Sequence, residues 1–358
     1  VLQQLLTIIS DELAALFELK KTERLWHIPV LASICVGVPV FMGWYFNHLS
    51  YGVIACTGGL VILYMPATGL RLRMITMLAC SFGFLMAYTV GILFSFHPLV
   101  FAFVLAIFAF AVHFATGILS LRPPGNFFFV MLAVIAGCQP FELQTIPLKI
   151  GLVALSTMFA CVLAFFYSWW AIHRYPPKRV QARAPKQGFD HVFESVLFGL
   201  FIGFSFFMAW LLGLKNPYWV PISCLAVLQG INRKHVLQRS FQRVLGTGIG
   251  MLVGWLILYL DPSELGMVIS LLSLQFVVEM LIVRHYALAV VFITPMTLLL
   301  AEAASPSGMP VNDLIATRFI DIVIGSTIGA IGGWFLYHQQ LRYHAKRQLR
   351  ISAIRKRK

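Results

Sequence analysis

The tetrapeptide Phe41-Met42-Gly43-Trp44 returns 166 residues later as Phe207-Met208-Ala209-Trp210, and both copies close an apolar run, Val30–Val40 and Val196–Phe206. Each copy is followed by an apolar segment headed by a tyrosine, Tyr51–Met65 and Tyr218–Gln229. Each then meets basic residues: Arg71 and Arg73 in the first copy, Arg233, Lys234, Arg239 and Arg243 in the second. A long period of this kind fixes the architecture before any local pattern is read. It predicts one membrane-embedded unit used twice. That is a usual construction of transporters, with the site between the halves.

The membrane follows from composition. Of the 358 residues 59% are hydrophobic and 11% charged, whereas a soluble domain carries about 25% charged residues. The chain cannot cover a water-facing surface, so it reads as an all-α integral membrane protein. The net charge of +14 does not point to nucleic acid, because the basic residues sit in short segments between apolar runs. The tail Arg342–Lys358 is basic enough to meet anionic lipid head groups. Six cysteines lie singly within apolar runs and form neither a disulfide nor a zinc framework. No metal or cofactor is expected. Residues Leu2, Leu5, Leu6, Ile9, Leu13 and Phe17 recur at helical spacing without a basic start or cleavage site. This pattern predicts a helix along the inner membrane surface rather than a signal peptide.

The apolar runs predict twelve transmembrane helices as two parallel six-helix repeats: about 28–45, 51–65, 74–95, 98–119, 126–139 and 147–170, then about 193–214, 217–230, 242–260, 264–283, 286–302 and 313–337. Six spans per unit return the chain to the same face, so the repeat is direct rather than inverted. With the N-terminus in the cytoplasm, 24 of the 27 Lys and Arg residues fall on the cytoplasmic side, as the positive-inside rule requires. The chain thus divides into an amphipathic cytoplasmic segment (1–24), a first membrane repeat (25–172), a basic proline-containing linker (173–189), a second membrane repeat (190–337) and a basic cytoplasmic tail (338–358). Both termini are cytoplasmic. No GxxxxGK[ST] sequence and no loop of useful size offers an ATPase or other enzyme site.

Spanning a bilayer core takes about 20 apolar residues, and the second and fifth segments of each half are shorter. Pro217 and Pro221 stand four apart at the head of one, and Pro221 is expected to open the helix there. Pro123-Pro124-Gly125 precedes another, and Pro295 interrupts a third. Recurrence in both halves points to a transport site; re-entrant packing helices are the alternative.

Charges within the spans each need a reason. Arg318 and Asp321 are three apart on one face of the last helix, where they are expected to pair, either to lock packing or to meet substrate. Arg239 and Arg243, one turn apart, face an anion path or mark the cytoplasmic edge. Glu279 and His113, in matching segments of the two halves, are candidates for proton coupling or hydrogen-bonded packing residues. The glycines at 246, 248, 250 and 254 and at 325, 329, 332 and 333 permit close helix contact.

Tyr218-Trp219-Val220-Pro221, then Arg239-xxx-Arg243-xx-Gly246-Thr247-xx-Gly250, then Arg318-xx-Asp321-xxx-Gly325, together resemble the fusaric acid resistance (FUSC) family. That family includes the p-hydroxybenzoate efflux proteins and has the plant aluminium-activated malate transporters as distant relatives. The resemblance covers about 190–337 strongly and about 25–172 weakly, where the Trp-Val-Pro and Arg-xx-Asp signatures are absent. Many members also carry a cytoplasmic domain, in whose place this sequence has only the linker. The resemblance implies a proton-coupled exporter of aromatic or other organic acids in a bacterial inner membrane. It places Tyr218, Trp219, Pro221, Arg239, Arg243, Arg318 and Asp321 at the substrate. A passive organic-anion channel and a non-transport envelope assembly protein are the alternatives. The partners expected are an organic anion and the lipid bilayer; a homodimer partner and a periplasmic adaptor protein are also admitted.

Overall fold

The computed structural model describes residues 22, 24–175, 188–260, 262–304 and 311–338. Among them are twelve α-helices: α1 (His27–Tyr45), α2 (Leu49–Gly59), α3 (Leu70–Leu93), α4 (Pro98–Ile118), α5 (Phe127–Gly137), α6 (Ile146–Arg174), α7 (Phe189–Leu211), α8 (Trp219–Leu228), α9 (Arg233–Tyr259), α10 (Glu264–Leu281), α11 (Tyr286–Ala304) and α12 (Val311–Leu336). A 3-10 turn, Leu60–Tyr64, extends α2. The amphipathic segment expected before residue 22 and the basic tail beyond 338 lie outside the described residues, as does most of the linker.

Nine of these helices are long and apolar enough to cross a membrane. The other three, Leu49–Tyr64 with its 3-10 turn, Phe127–Gly137 and Trp219–Leu228, are shorter. At 1.5 Å per residue the ten residues of α8 reach about 15 Å, half the hydrocarbon thickness. The expectation of four short segments is corrected at α11. It is 19 residues long and continues through Pro295.

Two further boundaries differ from the apolar runs. The helix α9 begins at Arg233 rather than near 242, and α3 begins at Leu70 rather than near 74. The first turns of both are basic, so hydropathy alone starts them too late. The Asn232 side chain caps α9 by accepting from the His235 backbone N–H at 2.8 Å. Pro221 does not open α8. It is the third residue of the helix, where the backbone N–H has no intrahelical acceptor to lose.

The short helices are interior ones. All ten residues of α8 are buried, as expected for a helix that is apolar all round. It packs against α12, α7, α9 and α5. In the first half α2 packs against α1 and α6, and α3 against α5 and α6. In the second half α8 packs against α7 and α12, and α9 against α11 and α12. Between the halves α4 lies on α7 and α10 lies on α1, while α5 meets α8 and α11 meets α2. On the first of these seams Gly203 is seated on Ala106; on the second Gly37 is seated on Leu272. Gly37 and Gly203 are 166 residues apart, as are Ala106 and Leu272, the interval of the tetrapeptide.

Close approach is bought with small residues, since in lipid no hydrophobic drive separates helix from tail. A Cβ on Gly325 would collide with the Val220 carbonyl oxygen, so α12 rests backbone to backbone on α8. Gly250 lies on the carbonyl of Val291, four residues before Pro295. Pro295 has no N–H to give that carbonyl, and the glycine backbone covers it.

Candidate functional site

Two helical stripes converge beside α8. Arg318, Asp321, Gly325 and Gly329 recur three or four apart on α12, which puts them on one face. Gly325 and Gly329 sit on Val220 and Cys224 of α8, so the same face brings Arg318 over the head of α8. On α9 the stripe is Arg239, Arg243, Gly246, Gly250 and Gly254. Its glycines pack on α11 at Val290, Thr294 and Leu298, which carries the two arginines to the junction of α8 and α11.

The Arg318 guanidinium carbon stands 3.6 Å from the centroid of the Trp219 ring. Its Nη2 donates to Thr297 Oγ1 on α11. Arg243 Nη2 donates to Ser223 Oγ of α8 at 3.3 Å. One turn along α9, Arg239 Nε donates to the Ala226 carbonyl at 3.1 Å and its guanidinium carbon lies 4.1 Å from the Tyr286 ring centroid. The three arginines therefore form a column along α8, interleaved with aromatic faces. Cation–π contacts of this kind contribute about 2 kcal/mol each when desolvated.

Arg243 and Arg318 are 5% and 3% exposed. Neither is fully satisfied: Nε of Arg243 and both Nε and Nη1 of Arg318 have no acceptor. The expected pairing of Arg318 with Asp321 does not form. Asp321 is 1% exposed and neither of its oxygens accepts a hydrogen bond. The reason is that Arg318 is drawn to Thr297 and Trp219 on neighbouring helices, away from its own helix. Tyr218, at the head of α8, completes the cluster and interacts electrostatically with Arg318 and Asp321.

The structure thus brings together Tyr218, Trp219, Arg239, Arg243, Arg318 and Asp321, with Pro221 in the first turn of the same short helix. It sets Glu279 and His113 apart from them. Glu279 on α10 is held by Arg24, whose Nη2 donates to Oε2 at 2.8 Å and whose Nη1 donates to the Glu279 carbonyl at 3.2 Å. Gln275 Nε2 donates to the other oxygen at 3.4 Å. His113 on α4 shares a hydrogen bond of 2.9 Å with Ser195 Oγ on α7 and stacks on Phe198. The two positions are 166 residues apart, one on each seam between the halves. The sequence reading overlooked three neutral partners, Ser223, Tyr286 and Thr297. The only signal for them was hydroxyl-bearing residues within apolar runs.

The fold and this buried cluster define the class: a multi-pass helical membrane protein with a cationic site among the helices of its second half. Residues 202–332, from α7 into α12, match the family described as fusaric acid resistance protein-like, the family that the motifs of α8, α9 and α12 resemble. The chain is 34% identical over 168 residues to the uncharacterized membrane protein YvaC of Bacillus subtilis (strain 168), over 47% of this chain and 24% of that protein. It is 32% identical over 120 residues to the uncharacterized protein ORF2 of Neisseria gonorrhoeae, over 33% of this chain and 27% of that protein. These matches span about a quarter of the length of each of the two curated relatives. No solved structure matches.

Proposed function

We propose that the chain is the membrane part of an organic-anion transporter, built from two six-helix units about a local twofold axis, and that it exports aromatic or other organic acids with proton coupling. The observation that carries this reading is the pair Arg243 and Arg318, buried, with N–H donors that no protein atom accepts. Buried cations are retained at high cost unless an anion completes them. The flanking rings of Trp219 and Tyr286 suit a carboxylate carried on an aromatic body.

The duplicated unit is supported by packing. Six helices on, α1 with α2, α2 with α6, α3 with α5 and α3 with α6 become α7 with α8, α8 with α12, α9 with α11 and α9 with α12. The seam of α4 on α7 likewise becomes that of α10 on α1. Cytoplasmic termini are supported by the charge asymmetry of the sequence, and a bacterial membrane by the organisms of the relatives. Lipid is the partner of the outer surface, where Phe103, Ile107 and Leu252 are about two-thirds or more exposed.

The test is thermal unfolding of the chain in lipid nanodiscs against a panel of organic acids. An acid at about 100 times its Kd should stabilise the protein by about 2.7 kcal/mol. Stabilisation by benzoate-type acids that is lost in Arg243→Gln or Arg318→Gln supports the reading. A panel in which no acid acts overturns it. Efflux of labelled p-hydroxybenzoate from cells, with and without a protonophore, then tests coupling. Efflux indifferent to the gradient would make the protein a passive channel.

A further inference from the structure

Asp321 is the member of the cluster that an anion site leaves unexplained. A carboxylate only accepts hydrogen bonds, and here both oxygens are buried without a donor. The charged and titratable groups around it come from several helices. Arg318 stands on its own helix and Tyr218 at the head of α8, and Arg243 of α9 lies within electrostatic reach of Arg318. Cys138, after α5, reaches the cluster through Tyr218. Glu302 lies further along α11, and Asp313 two turns earlier on α12. The helix α7 meets α12 at Phe201 against Gly332, and its Asp190, His191 and Glu194 lie farther still along an antiparallel helix. None of these is hydrogen-bonded to the Asp321 carboxylate.

We propose that Asp321 is the binding site of a monovalent cation, a proton or a sodium ion, whose occupancy promotes binding of the organic anion. The proposal rests on the reading of Arg243 and Arg318 as the anion site. Bare, the Asp321 carboxylate would draw Arg318 one turn forward along α12 and repel an incoming carboxylate. With a cation on it, the arginine donors are released to the anion. Each ligand then raises the affinity of the other by the same factor. Glu279 and His113 are not this site, because Arg24 and Gln275 occupy the first and Ser195 holds the second.

The experiment measures binding of p-hydroxybenzoate to the whole chain in nanodiscs by calorimetry, from roughly pH 5.5 to pH 8.5, in sodium and in choline buffers. For a proton, the affinity falls by about tenfold per pH unit over the alkaline part of the range. For sodium, it rises with sodium at fixed pH. In Asp321→Asn the affinity should stay at the wild-type maximum and lose either dependence, while Glu279→Gln and His113→Asn should keep it. Asp321→Ser serves if the asparagine variant does not accumulate as folded protein. A wild-type dependence that survives both Asp321 variants, or that vanishes in Glu279→Gln or His113→Asn, overturns the proposal. A second arm needs no anion: infrared difference spectra of wild type against Asp321→Asn follow the carboxyl band of Asp321 as pH or sodium is varied. A change in that band without any anion binding would retain the cation site and sink the transporter reading; an unchanging band would sink the cation site alone.

Discussion

Among the described residues Arg24 and Glu279 form a salt bridge that ties the start of α1 to the end of α10, one of the two seams between the halves. The Glu279 side chain is 5% exposed and that of Arg24 20%. Arg24→Gln leaves a buried carboxylate with only the 3.4 Å contact from Gln275. Breaking one side of a buried pair costs about 3–5 kcal/mol. The lower end applies here, about 3 kcal/mol, because the site of Arg24 is open enough for water to follow. Glu279→Gln should cost less, about 1–2 kcal/mol, since the amide keeps an acceptor for Arg24 and leaves a partly exposed cation. The double variant should lose about 2 kcal/mol less than the two losses added together, the coupling expected of residues in contact. Denaturant unfolding in mixed micelles, followed by tryptophan fluorescence, measures all three. Additive losses within about 0.5 kcal/mol would show that the pair does not hold the seam. If Glu279→Gln instead leaves stability untouched and abolishes transport, the residue is a carrier and the reasoning from the salt bridge is wrong.

Gly325→Leu should abolish folded protein, because its side chain would enter the backbone of α8 at Val220; fluorescence-detected size exclusion reads the folded fraction, and Gly325→Ala should retain more of it. Trp219→Leu should lower stability by about 2 kcal/mol through the lost face under Arg318, while Trp219→Phe recovers part of it; thermal unfolding separates the two. Gln229 Nε2 donates to Asn126 Oδ1 at 2.8 Å across the meeting of α8 and α5. Gln229→Leu should cost about 1–3 kcal/mol by leaving the buried amide of Asn126 unpaired, and the further change Asn126→Leu should restore most of that loss in the same unfolding assay.

Much of this was legible in residue order alone. The apolar runs fall on the twelve helices of the described residues, and the spacing of Arg318, Asp321, Gly325 and Gly329 puts them on one stripe of α12. What spacing could not give is where a long side chain turns. Arg318 and Asp321 are neighbours on their helix, yet Arg318 spans to α8 and α11, where its guanidinium lies over the Trp219 ring and donates to Thr297. Hydropathy likewise starts α9 about nine residues late, because the basic stretch Arg233–Arg239 is helical without being apolar. Pro221 was misread for a related reason: a proline is judged by its place within the helix, and that depends on the first residue of α8, which the apolar run does not mark.

At the 166-residue interval of the tetrapeptide the buried charge is one-sided. Arg73 of α3 stands at that interval from Arg239 of α9. It is buried and donates to Ser168 of α6 at 3.4 Å. The other charges have no such counterpart: Arg243, Arg318 and Asp321 fall on Met77, Leu152 and Leu155. The first half thus keeps the helix packing and lacks most of the buried charge. Burying a charge in hydrocarbon costs several kcal/mol, and most of that cost falls on the second half. The seams diverge in the same way. Position 113 is a histidine bound to a serine, whereas position 279 is a glutamate bound to an arginine. Two seams of like packing are thus closed by unlike polar contacts, an ion pair where α10 lies on α1 and a histidine–serine hydrogen bond where α4 lies on α7.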